Sequence, residues 1–127
     1  QDLISRESPY SVDETIQQAK NTVEELGMNI IAHIDHGAAA AKNDMQLSST
    51  QVLIFGNPQV GTQLMQDDPR TGLDLPLRVL VWEEKGTTYL SYRDPAYLQD
   101  AFALENKDEL IAKMQNALQK ITQESTQ

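Results

Sequence analysis

The sequence contains no cysteine, which excludes thiol nucleophiles, disulfides and thiolate metal sites. Histidine is nearly absent as well, with only His33 and His36. Basic residues are few: ten Lys and Arg stand against nineteen Asp and Glu, for a formal charge of −9. Nucleic acid is held by clustered cations, so this balance argues against nucleic acid as a partner. The same deficit argues against an anionic membrane surface. Apolar runs reach only about five residues, far short of the ~20 that cross a bilayer. No serine stands in a nucleophile-elbow pattern, so hydrolase chemistry of that type has no support.

What is present is an ordinary globular balance, with 39% hydrophobic and 23% charged side chains over 127 residues. That composition predicts one domain over residues 1–127 with a single core. The acidity serves solubility. The chain starts at Gln1, which fits either a removed signal peptide or a trimmed boundary.

The opening LISRES predicts a short strand closed by Pro9. Ser11 and Glu14 have capping-box spacing, and Ile16, Ala19, Val23 and Leu26 follow at helical intervals until Gly27. Met28 to Ile34 reads as a strand. Regular alternation sets Met28, Ile30, Ala32 and Ile34 on the core face, with Asn29, Ile31 and His33 on the opposite, wetter face. Ala38 to Lys42 makes one helical turn. Gln51 to Phe55 is a central strand, Val60 to Gln66 a short helix, and Asp67 to Pro76 a loop. Leu77 to Glu83 and Thr87 to Tyr92 form a hairpin around Lys85-Gly86, and a short helix follows near Ala96 to Ala101. Asn106 caps a last helix with Leu110, Ile111, Met114, Ala117, Leu118 and Ile121 on one stripe, and residues 122–127 form a frayed tail.

Strands that follow one another without crossover helices favour an α+β fold with a mainly antiparallel sheet and two long helices on one face. The uncovered face then carries Ile31, His33 and residues such as Trp82 and Tyr92. Large apolar groups on an uncovered face predict a homodimer or a pocket for a small-molecule ligand.

The most chemically suggestive stretch is HIDHGAAAAK, residues 33–42. Imidazoles beside a carboxylate suit acid/base work or a divalent metal, but strand alternation points His33 and His36 apart. A metal would need a third ligand, and no histidine remains. The structural alternative has Asp35 or His36 capping the alanine helix. FGNPQVGTQLM, residues 55–65, lacks the Gly-Lys-Ser/Thr ending of a phosphate loop and reads as a turn before a helix. Asp74 stands at the mouth of a strand, as a loop cap or as a buried acid. Tyr92, Arg93, Asp94 and Tyr97 meet at a strand end.

Taken in order, ESPYSV, IDH with its alanines, QVLIFGNPQVGTQLM, GLDLPLRVLVW and YRDPAYL resemble the family catalogued as domain of unknown function 302. The resemblance covers about residues 3–98. It implies a β-α-β4-α arrangement of the TATA-box-binding-protein-like class, with no established activity and no cofactor. Its motif positions fall on Asp35, His36, Phe55, Gly56, Asn57, Pro58, Gly61, Leu64, Met65, Asp74, Leu75, Pro76, Tyr92, Asp94, Pro95 and Tyr97. His33 is not among them. Two stretches depart from the family pattern: KNDMQL after the alanines, and QDAFALENKDE, which replaces a basic His-Gly tail. The ESPYSV opening resembles exported members, so a periplasmic or secreted location is expected.

These readings predict a non-enzymatic ligand-binding or interaction module, with a site built from Asp35, His36, Phe55, Asn57, Met65, Asp74, Tyr92 and Asp94. The alternative is an enzyme with His36 as base and Asp35 or Asp74 as its partner, or a histidine-based metal protein. No metal or cofactor is expected. The enzyme reading requires His36 and a carboxylate to meet in one concave site.

Overall fold

The computed structural model describes residues 3–127. Strand β1 (Leu3–Ser8) leads into helix α1 (Val12–Glu25), followed by β2 (Asn29–Asp35) and the short α2 (His36–Lys42). Then come β3 (Thr50–Gly56), α3 (Pro58–Asp67) and a 3₁₀ turn over Pro69–Leu73. The hairpin β4 (Leu77–Glu84) and β5 (Thr87–Arg93), the short α4 (Tyr97–Ala101) and α5 (Asp108–Thr126) complete the chain. The five strands form one sheet in the order β1-β5-β4-β3-β2, and every neighbouring pair is antiparallel. This is the expected β-α-β4-α arrangement.

Local chemistry explains most boundaries. The Ser11 hydroxyl accepts from the Glu14 amide at 3.1 Å, and Glu14 reaches back to the Ser11 amide, so the capping box closes α1 at its start. Gly27 takes a positive φ of 77° just after that helix, a conformation that costs a residue without Cβ little. Lys85 and Gly86 both have positive φ, 52° and 82°, and make the two-residue hairpin turn whose twist matches its strands.

Both long helices lie on one sheet face. Val12, Ile16, Ala19 and Val23 of α1 and Leu118 and Ile121 of α5 bury Leu53, Phe55, Val79, Val81, Leu90 and Tyr92. Leu64, Leu98, Ile111 and Met114 form a second buried cluster under α3 and α4.

Four expectations are corrected here. Asn106 does not cap α5: it sits at φ 54°, and the N-cap position belongs to Lys107, which makes no side-chain cap hydrogen bond. The C-terminal residues do not fray. The last turn of α5 packs inward, with Ser125 fully buried, and the Tyr10 hydroxyl donates to the Gln127 carbonyl. Small hydroxyls allow that burial, because Thr122, Ser125 and Thr126 each donate to the carbonyl one turn earlier.

The third correction concerns β2. Its pairing with β3 shifts between Ile30 and Ala32, so Ile31 is an extra residue. A bulge of this kind inverts the alternation beyond it. Ile30 lies opposite Phe55 on the helix side, but His33 then lies opposite Leu53 and Asp35 opposite Gln51, also on the helix side. Ala32 and Ile34, expected in the core, move to the open face. The fourth is Tyr92, which is 6% exposed and belongs to the helix-side core, so it is not part of the uncovered face. Trp82 does lie there, stacked on Tyr89 at 4.7 Å, with its indole N–H donating to Ser91.

Candidate functional site

Asp35 and His36 sit where β2 passes into α2. The Asp35 carboxylate accepts from the Ala38 amide at 2.9 Å, an N-cap that satisfies one free donor of the helix. His36 is the first helical residue and is exposed. His33 is held through its Nε2 by the Gln51 side-chain oxygen at 2.7 Å, and the Gln51 amide nitrogen donates to Asp13 at 2.7 Å. This relay fastens the edge strand to α1. Gln51 itself is 3% exposed and has a partner at each end.

The remaining candidates lie at the other end of the sheet. Asp35 pairs with Gln51 at the start of β3, whereas Phe55 pairs with Leu77 near its end, beside Asn57 and Asp74. Four to six residues of β3 separate the two groups, roughly 13–20 Å at the rise of a strand. The expected single pocket therefore does not form. Strand geometry separates His36 from Asp74, and neither of the two concavities described below is lined by His36.

Several expected ligand residues have structural roles. Phe55 is fully buried in the core. Asn57 caps α3 by accepting from the Gln59 amide at 3.0 Å. Asp94 accepts from the Ala96 amide at 2.9 Å and from the Gln115 side chain at 2.8 Å, bracing the α4 turn against α5. Asp68, absent from the sequence reading, is buried and accepts from the Arg70 guanidinium at 2.7 Å and the Ala103 amide at 3.0 Å. The guanidinium first and that amide second hold its carboxyl well below the usual carboxylate range. Asp67 is lowered by the Glu105 amide and then by Lys107. Together they tie the α3 end to residues 102–107.

Two concavities occupy this end. The smaller, about 250 Å³, is polar and is lined by Asp74, Arg78, Arg93 and Tyr97 with Pro76 and Leu98. Tyr97 and Asp74 share this concavity, and the Arg93 guanidinium lies 5.5 Å from the Tyr97 ring centre. Burial first, and the Asp74 charge second, push the Tyr97 phenol up to about 12.

The larger concavity is a cleft of about 660 Å³ between α3, α5 and the turn from α1 into β2. Its walls are aliphatic: Leu26, Ile31, Val60, Leu75, Leu77 and Ala117, with Pro58 and Pro76. Three of the four methionines line it, Met28, Met65 and Met114. Among the described residues no aromatic, histidine or carboxylate side chain lines it, and Asn57, Thr62, Asn116, Lys113 and Lys120 supply its polar groups. Glycines hold it open: a Cβ on Gly72 would come to 3.0 Å of the Met65 sulfur. Of the predicted site residues, Asn57 and Met65 face this cleft and Asp74 faces the polar one. The α5 lysines escaped the sequence reading, since they flank an apolar stripe as any surface lysine would. Among the described residues no group of three His, Asp or Glu side chains is placed to hold a metal ion.

Comparison with known proteins gives three results. The family model "Domain of unknown function DUF302" matches residues 4–121. A "Fluoride-specific ion channel FluC 1" of Brucella suis is 45% identical over 103 residues, 80% of this chain but 41% of that protein. Its Brucella abortus namesake matches equally, over 38% of its length. The chain thus spans well under half the length of these curated relatives. A crystal structure of an uncharacterised conserved DUF302 protein from Bacillus stearothermophilus superposes with a TM-score of 0.87, covering 99% of this chain and 98% of that one at 16% identity. At that identity the likeness establishes the fold.

Proposed function

The chain belongs to the DUF302 family, and from that premise we propose that it is a non-enzymatic module that binds a small molecule in the aliphatic cleft. The observation that carries this is the cleft itself: about 660 Å³ of concave, mostly apolar surface with a few polar groups at its rim, which is the usual form of a small-molecule site. Asp35 and His36 stand together at the β2–α2 junction, away from the cleft, so the reading gives them no part in it. The test is native mass spectrometry of protein taken from its natural compartment. A retained small molecule, lost when Ala117→Phe narrows the cleft, supports the reading; retention unchanged by that substitution refutes it.

A second reading concerns assembly. On the open face, Arg78 and Arg93 lie at one end of β4 and β5, while Glu84 and Glu7 lie at the other. Leu80, Trp82 and Tyr89 stand between them. A second copy turned half a revolution about an axis crossing the strands would set each basic end over an acidic end and cover the aromatics. We propose that the chain dimerises this way. Sedimentation equilibrium should show a dimer that Arg78→Glu dissociates and that Arg78→Glu with Glu84→Arg restores. A 14.2 kDa monomer at micromolar concentration refutes it.

The relatives named as fluoride channels match this chain over less than half their length. Among the described residues no helix is long and apolar enough to cross a membrane. We read the shared segment as a binding module joined to a different part of those proteins. A periplasmic or secreted location is proposed from the family-like opening, and fractionation of cells expressing the natural gene tests it.

A further inference from the structure

Among the described residues, the cleft has charge of only one sign. In a chain with nearly twice as many acids as bases, no carboxylate among the described residues lines it, while α5 contributes Lys113 and Lys120. Seven residues apart, they lie on one helix face about 10 Å from each other, with aliphatic stems along the wall and ammonium groups able to reach the rim. Lys113 has no salt bridge among the described residues. Lys120 approaches Glu124 only at 3.8 Å, with both side chains largely exposed, an arrangement that contributes little.

The walls restrict the shape of the occupant. With no aromatic lining side chain, nothing offers a face for stacking a flat ring. Met28, Met65 and Met114 are unbranched and adaptable, which suits a flexible chain. We infer that the cleft takes a single-chain amphipathic anion: an unbranched alkyl chain along the methionine wall, ending in a carboxylate held by Lys113 and Lys120. This inference rests on the cleft being the binding site, and it adds the chemical class of the ligand.

Calorimetric titration with a series of alkyl carboxylates, each below its micelle-forming concentration, tests it. Affinity should rise about two- to fourfold per added methylene until the cleft is filled. The alcohol of equal chain length should bind about fivefold more weakly. Lys113→Glu with Lys120→Glu should reduce the carboxylate to the level of the alcohol or below, and should weaken the carboxylate by a larger factor than the alcohol. Ala117→Phe, and independently Thr62→Phe on the facing wall, should abolish both. If alcohol and carboxylate bind alike and the lysine substitutions change nothing, the ligand class is wrong while the cleft reading stands. If no alkyl compound binds, or binding ignores both phenylalanine substitutions, the ligand class and the cleft reading fall together. Binding to anionic lipid vesicles without binding to monomeric carboxylate would also overturn the inference, since it would move recognition to a membrane surface.

Discussion

Asp94 separates a structural brace from a ligand group most sharply. Its carboxylate caps the Ala96 amide and receives the Gln115 side chain, so it holds the β5–α4 turn against the middle of α5. Replacing it with alanine removes a cap, about 1 kcal/mol, and a hydrogen bond to a charged acceptor, about 1–2 kcal/mol in a half-buried setting. The expected loss is therefore about 2–3 kcal/mol. Asp94→Asn keeps an oxygen that can cap and should lose about 1 kcal/mol or less. Urea unfolding followed by circular dichroism reads these differences as midpoint shifts at constant slope. Gln115→Ala completes a double-mutant cycle, and its coupling with Asp94→Ala should be about 1 kcal/mol. Additive losses, or an Asp94→Ala midpoint equal to wild type, would refute the brace. Asp94 would then be available for the ligand role that its motif position suggested.

Phe55→Ala should destabilise by about 3–5 kcal/mol, because a fully buried ring leaves a cavity; a folded variant with unchanged stability would return Phe55 to the list of binding residues. Asp67 and Asp68 have lowered folded values, so their stabilisation is complete above the unfolded carboxylate value of about 4 and is lost as the pH falls through the folded ones. Melting profiles of Asp68→Asn should accordingly be less stable at neutral pH and flatter on the acid side, and a profile parallel to wild type sinks this. Tyr97, raised to about 12, favours the fold in its protonated form, a contribution present below about 10 and lost as pH rises through the folded value. Phenolate absorbance should show a late-ionising tyrosine that Tyr97→Phe removes.

The readable parts of the fold were those set by neighbours in sequence. Ser11 with Glu14, Gly27, Lys85-Gly86 and Asp35 each act within a few residues, so their chemistry is visible in the string. The element order followed because strand and helix periods differ. What could not be read depends on pairing across strands. The extra residue at Ile31 leaves no mark in NIIAHID, yet it decides which face receives His33 and Asp35. Tyr92 looked like an open-face aromatic, but it shares a face of β5 with Leu90, whose partner Val81 lies in the helix-side core. The motif positions were read as one site because they recur together, but antiparallel pairing places them at two ends. The cleft belongs to none of the motifs alone: it is assembled from the C-terminal end of α1, the wall of α3 and a helix whose lysines looked incidental.

The extra residue at Ile31 also bears on how copies of this protein stay apart. β2 is an outer strand of the sheet, and an outer strand offers its unpaired backbone groups to any passing chain. With Ile31 and Ile34 exposed, a straight β2 would be a sticky template for endless strand addition. The bulge interrupts the ladder in the middle of that edge, so a newcomer would find no continuous run to pair with. The same inserted isoleucine thus breaks the regularity of an outer strand and lends its side chain to the cleft wall.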